Sequence, residues 1–406
     1  MERVGNAHNG NGTMWGDGVC TVCGSNKFLD ILEIKGIPAQ DGVLWPTQAE
    51  ALNAPKGDIT LSLCLNCSYV GNRKFDPSLL KFFGYNVSLE HSPLYQRFIK
   101  TLASGLIERY NLRGKTVLEI GCGNGFFLKT ICALGGNQGI GFDPSYTDID
   151  GSGTKTPTIQ FVKDFYSDRY AAYAGDLVCC RQVLDHLGSP KAFLKMVRSL
   201  IGERTDSVVY FEVPHPQRRL QQFVPWNVGY EHGSWLFPNA FRLLFELSGF
   251  EVKQVSPCHD GDYLGIEAIP VAQVKVTERT GTSAEIEQLA DDLKTLSTRF
   301  KAAISTWEEQ LQKLERNGIR AIPWGAGERG IGFLSILNIK QQMPYIVDIN
   351  PGRVDKYLPG TGQKVVPPEF IIEYKPNVII ITNPTYQTEI REHVKKLGLT
   401  CEFLVP

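Results

Sequence analysis

The chain has 406 residues, more than one hydrophobic core usually serves, so two or three domains are expected. Its 42% hydrophobic and 21% charged residues are typical of a globular protein and exclude a disordered, collagen-like or coiled-coil chain. A formal net charge of -1 disfavours nucleic acid as the main partner. The sequence shows neither an apolar run of membrane-helix length nor a signal peptide, so we expect a cytoplasmic protein.

Two Cys-x-x-Cys pairs near the N-terminus indicate a metal site. Cys20 with Cys23, and Cys64 with Cys67, can each direct two thiolates at one ion, and together they complete a tetrahedral four-cysteine site. Because thiolates fill all four positions, a zinc ion bound here would be structural and would leave no position for a reacting water. The alternative is four unrelated buried thiols, which the regular spacing disfavours.

A strand followed by a glycine-rich turn marks the start of a nucleotide-binding sheet. Residues 116–120 read as a strand, Gly121, Gly123 and Gly125 form the turn, and residues 126–134 read as a helix. Glycines at such a turn let the backbone approach a ligand at the helix N-terminus. A dinucleotide-binding fold has G-x-G-x-x-G at this place, whereas this turn reads E-x-G-x-G-x-G.

That pattern resembles the turn of class I methyltransferases, which bind S-adenosylmethionine. The resemblance places Glu119, near the end of the strand, in the cofactor site. A second strand ends at Asp143 and Pro144, where a carboxylate can accept hydrogen bonds from both ribose hydroxyls. Asp164 and Phe165 follow a third strand and are placed to meet the adenine, with a helix N-cap as the alternative role for Asp164.

The segment after the third strand continues the alternation of strands and helices. Arg181 lies where a fourth strand passes into its turn, and the resemblance places it beside the cofactor. Further strands are predicted at 207–213, 251–255 and 264–268, with an amphipathic helix at 240–248. This alternation is typical of a doubly wound α/β sheet.

One long amphipathic helix is predicted after the sheet. Apolar residues recur at intervals of three or four from Ile286 to Leu314, which indicates a helix over 284–316. The stripe can form a coiled coil in a dimer, but a helix docked between domains is the commoner use of a single stripe.

The last part of the chain has a second glycine turn. A strand at 319–322 leads to Gly325, Gly327 and Gly330, which match G-x-G-x-x-G, and Asp348 follows the next strand where a ribose carboxylate would lie. A nicotinamide site is one interpretation. The domain is only about half of a full dinucleotide fold, so the other interpretation is a half-domain used for packing or substrate contact.

The order of these modules resembles a three-domain, zinc-containing family of bacterial C-methyltransferases, whose best-known members methylate deoxysugar nucleotides of antibiotic biosynthesis at the third sugar carbon. The resemblance covers nearly the whole chain from Gly18. It implies a class I methyltransferase Rossmann-like sheet flanked by an N-terminal four-cysteine zinc module and a C-terminal Rossmann-like half-domain. The predicted parts are a flexible tail at 1–17, the zinc module at 18–76, the S-adenosylmethionine-binding domain at 77–283, the linker helix at 284–316 and the C-terminal domain at 317–406.

The family's catalytic motif is a Glu-His pair followed by a serine, an aromatic residue and a proline, and Glu231 and His232 match the pair. In such enzymes the histidine is taken as the base that removes a proton alpha to a keto group, giving an enolate that attacks the methyl group. The resemblance therefore implies His232 as the base, Glu231 as an orienting group, and Tyr230 or Tyr85 as a donor to the enolate oxygen. These residue types suit a reaction that needs a base of pKa about 7 and oxyanion donors.

Gly229 stands where the sugar enzymes commonly have an aromatic residue. We expect an S-adenosylmethionine-dependent C-methyltransferase of secondary metabolism, with a keto-deoxysugar nucleotide as the leading substrate. The alternatives are a C- or O-methyltransferase acting on a non-sugar natural-product intermediate and an NAD-dependent dehydrogenase that uses the C-terminal glycine motif. The expected partner is a small-molecule substrate, with no nucleic acid and no membrane, and the protein is expected to be a monomer or a homodimer.

Overall fold

The structure is a computed structural model that describes residues 18–82, 89–147, 158–222, 226–273, 282–340 and 342–406, so the predicted tail at 1–17 lies outside the described residues. The strands are β1 Phe28–Pro38, β2 Lys56–Cys64, β3 Val70–Asn72, β4 Thr116–Ile120, β5 Gln138–Phe142, β6 Ile159–Val162, β7 Leu177–Arg181, β8 Val208–Pro214, β9 Ser234–Trp235, β10 Phe250–Cys258, β11 Tyr263–Pro270, β12 Ala321–Trp324, β13 Tyr345–Val347, β14 Lys364–Val366, β15 Val378–Ile381 and β16 Glu402–Leu404. The helices are α1 Gln48–Leu52, α2 Pro93–Tyr110, α3 Phe126–Gly135, α4 Pro190–Ile201, α5 Pro216–Gln222, α6 Pro238–Glu246, α7 Ser283–Arg316, α8 Glu328–Ile336, α9 Phe370–Tyr374 and α10 Gln387–Lys396.

The middle of the chain forms a seven-stranded sheet in the order β10-β11-β8-β7-β4-β5-β6. The strands from β8 to β6 are parallel, and β11 runs antiparallel to both β8 and β10. Helices cover both faces, which explains why β7 is buried at every residue and reads as an unbroken apolar run up to Arg181. This order, with an antiparallel strand near one edge, is that of a class I methyltransferase, and the predicted fold class is confirmed.

The strand order reverses at β4, which has β5 on one side and β7 on the other. In open α/β sheets of this kind, ligands bind in the crevice beyond the carboxyl ends of the strands at the reversal point. The glycine turn follows β4 directly, so the fold places it at this crevice.

An antiparallel sheet of order β1-β2-β3-β9 forms the N-terminal module. Its last strand, β9, comes from the segment that follows His232, and Ser234 and Trp235 pair with Gly71 and Val70. A hydrogen bond of 2.7 Å between the hydroxyls of Tyr69 and Ser234 supports this pairing. The segment that carries the Glu-His motif is therefore fixed to the cysteine module as well as to the methyltransferase domain.

The C-terminal part forms a parallel five-stranded sheet in the order β14-β13-β12-β15-β16. Its central strand β12 differs from the predicted strand at 319–322, because it begins at Ala321 and continues through Pro323 to Trp324. Although a proline has no N–H to donate, the apolar side chains of this strand are buried and keep it in the centre of the sheet.

The long helix α7 begins with a capping box between Thr282 and Glu285. Leu293 and Phe300 on its apolar stripe pack in the core of the methyltransferase and N-terminal parts. Near its other end, the Trp307 ring packs edge-on to Phe333 of the C-terminal domain, with ring centroids 5.1 Å apart. The stripe thus packs within the chain across two cores. In the part of the chain that the structure describes, no helix combines the length and apolar character that a membrane span requires.

The N-terminal module also contacts the C-terminal domain. Trp45 and Tyr357 exchange two backbone hydrogen bonds of 3.0 and 2.8 Å. The amide of Gly360 donates to the carbonyl of Ala51 at 2.7 Å. These contacts bring all three parts of the chain around one central cavity.

Candidate active site

The glycine-rich turn between β4 and α3 is held by the carboxyl group of Asp143. The N–H of Gly123 donates to its Oδ2 atom at 2.8 Å, and the N–H of Ser145 donates to its Oδ1 atom at 2.7 Å. Gly123 has a φ of 55°, and no atom lies within 4 Å of the position that a Cβ would occupy there. The backbone of the turn at Gly123 is therefore accessible, so a nucleotide-like ligand can approach it closely.

Glu119 is buried near the end of β4, with a relative exposure of 2%, and its Oε2 atom has no hydrogen-bond partner among the described residues. Burial raises the pKa of Glu119 to about 8. An unpartnered buried acceptor is costly. The group therefore fits a ligand that brings hydrogen-bond donors, such as hydroxyl or ammonium groups.

Asp164 and Phe165 lie on the same side of the sheet, after β6. The Oδ1 atom of Asp164 accepts from the N–H of Phe165 at 2.8 Å, and its Oδ2 atom accepts from the side chains of Arg169 and Tyr170. The N-cap of the following short helical turn is Ser167, so Asp164 does not have the alternative N-cap role there. Its contacts instead fix a carboxylate beside the cavity.

Arg181 is 8% exposed, and its guanidinium group donates to Glu212 at 3.0 Å and to the hydroxyl of Tyr95 at 3.2 Å. This buried ion pair stabilises the side chain in one position at the end of β7. Arg181 contributes to the cavity wall, and its contact with a cofactor stays a prediction.

The cavity has a volume of about 1310 Å³ and is lined by residues from all three parts of the chain. The predicted site residues on its wall are Glu119, Gly121, Gly123, Asp143, Pro144, Asp164, Phe165, Arg181, Glu231 and His232. Gly125 is absent from the described lining. A Cβ at Gly125 would lie 2.4 Å from the ring of Phe161 on β6, so the turn has no room for a side chain here, and the contact of Gly125 with a cofactor stays a prediction.

His232 lies between two carboxylates from different domains. Its Nδ1 atom is 2.6 Å from Oδ2 of Asp185, which follows β7, and its Nε2 atom is 3.4 Å from Oε2 of Glu328, which begins α8 of the C-terminal domain. Burial alone would lower the pKa of His232, but the charges of Glu328 and Asp185 outweigh burial and raise it well above its usual value. The two carboxylates therefore favour the protonated form of the imidazole.

Glu231 is 1% exposed and lies beside Asp41 of the N-terminal module. The N–H of Asp41 donates to Oε2 of Glu231 at 3.3 Å. A ring nitrogen of His232 and one carboxyl oxygen from each of these two acids lie within 4.8 Å of one another. The Glu-His pair thus lies next to a third titratable side chain, Asp41, which is not part of the sequence motif.

Tyr230 does not have the position that an oxyanion donor requires. Its hydroxyl donates to the carbonyl of Lys74 at 3.2 Å and accepts from the N–H of Asp76 at 2.7 Å, and its ring packs against Phe75. The side chain is 1% exposed and is not among the described residues that line the cavity. In this structure Tyr230 therefore secures the N-terminal module, and its predicted catalytic role gains no support from these contacts. Tyr85 lies outside the described residues.

The four predicted metal ligands come together at one point. The Sγ atoms of Cys20 and Cys67 are 3.7 Å apart, and those of Cys23 and Cys64 are 3.6 Å apart. A zinc ion with Zn–S bonds of about 2.3 Å places its sulfurs about 3.8 Å apart at tetrahedral corners, so the thiols have the spacing of such a site. The four-cysteine group can hold a metal ion.

The second glycine turn repeats the arrangement of the first. The N–H of Ala326 donates to Oδ2 of Asp348 at 2.8 Å, and the N–H of Asn350 donates to Oδ1 at 2.8 Å. Gly325, Gly327 and the first residues of α8 face the same cavity as the turn after β4. The C-terminal half-domain therefore forms the opposite wall of the site.

Three residues of the site were missed by the sequence analysis, namely Asp41, Asp185 and Glu328. Asp185 precedes a histidine in the turn after β7, and a polar pair at a strand end was the available signal for it. Glu328 lies inside the second glycine motif, where it was assigned no role. Asp41 follows β1 and carries no pattern of its own, because its contact with Glu231 depends on how two domains pack.

The strand order and the turn fixed by Asp143 define a class I methyltransferase. Residues 94–255 match the family model described as a methyltransferase domain, and residues 263–406 match the one described as a C-methyltransferase C-terminal domain. The chain therefore contains a methyltransferase domain with the fold of the S-adenosylmethionine-dependent class, followed by a second domain of methyltransferase type. The two adjacent matches support a C-methyltransferase family, as the resemblance implied.

The chain is also similar to ubiquinone biosynthesis O-methyltransferases. It is 25% identical over 158 residues to that of Actinobacillus pleuropneumoniae serotype 7 (strain AP76), covering 37% of this chain and 63% of the relative. It is 26% identical over 115 residues to that of Escherichia coli O127:H6 (strain E2348/69 / EPEC), covering 27% of this chain and 45% of the relative. The chain thus spans less than two thirds of these relatives' length. A solved S-adenosylmethionine-dependent methyltransferase from Aquifex aeolicus is similar with a TM-score of 0.35 and 16% identity, over 49% of this chain and 100% of that one.

Proposed function

We propose that the protein transfers a methyl group from S-adenosylmethionine to a carbon alpha to a keto group of a small substrate. The observation that carries the proposal is the placement of His232. It is bound by Asp185 on the wall of a cavity that also contains the glycine turn fixed by Asp143. The match of residues 263–406 to a C-methyltransferase C-terminal domain supports carbon as the methylated atom.

The cofactor would lie along the carboxyl ends of β4, β5 and β6. The carboxylate of Asp143 keeps acceptor capacity for the two ribose hydroxyls after binding its two backbone donors. Asp164 and Phe165 would meet the adenine, and Glu119 would accept from a donor of the cofactor. S-adenosylmethionine supplies an electrophilic methyl group carried by a positive sulfonium.

His232 would act as the base. Its Nδ1–H is bound to Asp185, so Nε2 is the atom that can take a proton from the substrate. In the free enzyme this nitrogen holds a proton next to Glu328, and a positive sulfonium placed in the cavity lowers the pKa of the imidazole. Cofactor binding would thereby favour the neutral base in the complex that needs it.

The substrate proposal is a keto-deoxysugar nucleotide. The C-terminal wall of the cavity carries Arg329 and Lys356, cations that a diphosphate group would contact. The N-terminal four-cysteine module would hold a structural zinc ion and so keep β9, which follows His232, in place.

O-methylation of a non-sugar metabolite is the second candidate, favoured by the similarity to ubiquinone biosynthesis O-methyltransferases. In that case His232 would take a hydroxyl proton and no enolate would form. Carbon NMR of the product obtained with a carbon-13 methyl donor distinguishes a C–CH₃ from an O–CH₃ group.

The experiment that tests C-methylation uses a panel of keto-sugar nucleotides and other alpha-acidic ketones in deuterium oxide. With S-adenosylhomocysteine in place of the donor, the enzyme should wash deuterium into the alpha position of its substrate. His232→Ala should lower exchange and methyl transfer by about a hundredfold, the size of a general-base contribution, while cofactor affinity is kept. Methyl transfer to a ketone carbon without wild-type exchange, or full exchange by His232→Ala, would contradict the proposal.

A further inference from the structure

Asp41 brings a carboxyl group from the N-terminal module to the wall of the methyltransferase cavity. Its side chain is 6% exposed, and its Oδ2 atom has no hydrogen-bond partner among the described residues. Buried polar atoms nearly always have a partner. An atom of this kind on a cavity wall therefore points to a group of the ligand.

The groups around Asp41 are charged and close. Glu231 accepts from its backbone N–H at 3.3 Å, and the carboxyl oxygens of the two residues and a nitrogen of His232 lie within 4.8 Å of one another. Glu328 faces it from the C-terminal domain, and His186 faces it from the turn after β7. Asp41 therefore has two acidic neighbours and two histidines around it.

Gly229 shows how tightly this space is filled. A Cβ at that position would lie 2.9 Å from Oδ2 of Asp41, 3.2 Å from the His232 ring and 3.3 Å from Cγ of Glu328. The sugar enzymes that the chain resembles commonly carry an aromatic side chain here, and this chain has no room for one. The acidic side chains of Asp41 and Glu328, from the N-terminal module and the C-terminal domain, lie next to Gly229 instead.

Two carboxyl groups that are buried side by side resist ionising together, because each negative charge destabilises the other. Burial raises the pKa of Asp41 well above its usual value, and the charge of Glu231 raises it further. The charge of His232 opposes this shift, but the protonated form of Asp41 is favoured, and a protonated carboxyl group can donate a hydrogen bond, as a phenol would. Of the two tyrosines predicted for that task, Tyr230 donates to the carbonyl of Lys74, and Tyr85 lies outside the described residues.

We propose that Asp41 is a catalytic hydrogen-bond donor that stabilises the enolate oxygen of the substrate, an inference that rests on the proposed C-methylation. His232 takes the alpha proton, the electron pair of the C–H bond forms the C=C bond, and the carbonyl oxygen gains the negative charge. Asp41 donates to that oxygen and keeps its own proton. When the alpha carbon then attacks the methyl group, the C–S bond breaks, the carbonyl re-forms and S-adenosylhomocysteine leaves.

The first test needs no substrate. Infrared spectra in deuterium oxide at neutral pH should contain the carbonyl stretch of a protonated carboxyl group, and Asp41→Asn should lose part of that band. Asp58→Asn is the matched control, because Asp58 is an exposed carboxylate of the same module, and it should leave the band unchanged. An identical band in wild type and Asp41→Asn would overturn the proposal.

The second test measures alpha-proton exchange with a keto-sugar nucleotide that the wild type turns over. Asp41→Leu removes the donor and should slow exchange by about a hundredfold or more, whereas Asp41→Asn keeps an N–H donor and should stay within about tenfold. The wild-type rate should fall at high pH as Asp41 ionises, and the Asp41→Asn rate should lack that fall. Zinc content and cofactor affinity serve as controls for folding.

The outcomes separate the two proposals. If the wild type exchanges no keto substrate, the proposed function fails. If the wild type exchanges and Asp41→Leu matches it, or if Asp41→Asn and Asp41→Leu lose the same activity, the donor role of Asp41 alone is wrong.

Discussion

The Nδ1–H of His232 donates to Oδ2 of Asp185 across 2.6 Å, which fixes the tautomer of the histidine and directs Nε2 at the cavity. The same contact stabilises the positive imidazole, as an acid-base histidine requires when it accepts a proton. On the other side, Glu328 lies 3.4 Å from Nε2 and adds a second negative charge. The proton affinity of His232 is therefore set by residues from two different domains.

Glu328→Gln should shift the pH profile of the enzyme. Glu328 raises the pKa of His232, so the base form appears only when the pH rises through that raised value. Gln keeps the shape and removes the charge, so the acid limb of kcat/KM should move to lower pH by about one unit or more. The measurement is kcat/KM across the pH range, since this parameter reports groups of the free enzyme.

Glu389→Gln is the matched control, because Glu389 also lines the cavity but is bound to Ser92. It should leave the acid limb in place. An unchanged limb in Glu328→Gln would show that another group controls the pH dependence.

The middle sheet could be predicted because its strands are local and buried. The strand predicted at 116–120 has the bounds that the structure has, and the turn between β4 and α3 has its own glycine signature. The four cysteines could be assigned to one site from the sequence, because two Cys-x-x-Cys pairs have the spacing typical of ligands to a single metal ion.

Asp143→Ala should weaken S-adenosylmethionine binding by about 1.5 to 3 kcal/mol, the value of hydrogen bonds to a charged acceptor. A closely matched control is the aspartate of the second glycine turn. Asp348 holds the second glycine turn through the same two backbone contacts, of 2.8 Å each, so Asp348→Ala removes the equivalent support from the other domain. Isothermal titration calorimetry should show weaker binding for Asp143→Ala alone. Equal losses in both variants would mean that Asp143 acts only by supporting its turn.

Elemental analysis should find one zinc ion per chain, bound by Cys20, Cys23, Cys64 and Cys67. Cys64→Ser should lose it and destabilise the N-terminal module, since structural zinc sites contribute on the order of 10 kcal/mol to folding. Because β9 pairs with β3 of this module, the variant should also lose methyl transfer although zinc takes no part in the chemistry.

Cys401→Ser is the control for the zinc prediction, as Cys401 lies in the C-terminal domain away from the four-cysteine group. It should keep the metal and the activity. Native protein that contains no zinc would refute the prediction.

The contacts around His232 could not be predicted, because they join residues far apart in sequence through the packing of domains. Asp41 and Glu231 are separated by 190 positions, and no periodicity or motif relates them. The two-residue strand β9 could not be predicted either, since so short a segment has no hydrophobic pattern. Its pairing with β3 nevertheless fixes the segment that follows the Glu-His motif. The contacts of Tyr230 could not be predicted for the same reason, as its neighbours Lys74 and Asp76 come from the N-terminal module.

Glu119→Gln should make the cofactor-free protein more stable, by an amount that grows with pH. Burial raises the pKa of Glu119 from 4.5 to about 8 in the folded state. Between these values the unfolded chain has released the proton and the folded protein still holds it, so the folded state loses about 1.4 kcal/mol of stability per pH unit as the pH rises. Gln carries no titrating group and escapes this loss.

Thermal unfolding should show the difference directly. The melting temperature of Glu119→Gln relative to wild type should rise by about 3 to 6 °C per pH unit between roughly pH 5 and 8 and then level off, because a domain of this size responds by about 2 to 4 °C per kcal/mol. Glu251→Gln changes an exposed glutamate of the same sheet, and its difference from wild type should stay constant with pH. If the melting temperatures of wild type and Glu119→Gln differ by the same amount at every pH, the pKa of Glu119 is not raised by folding. Glu119 would then be ionised in the folded protein, and its Oε2 atom would need a hydrogen-bond donor.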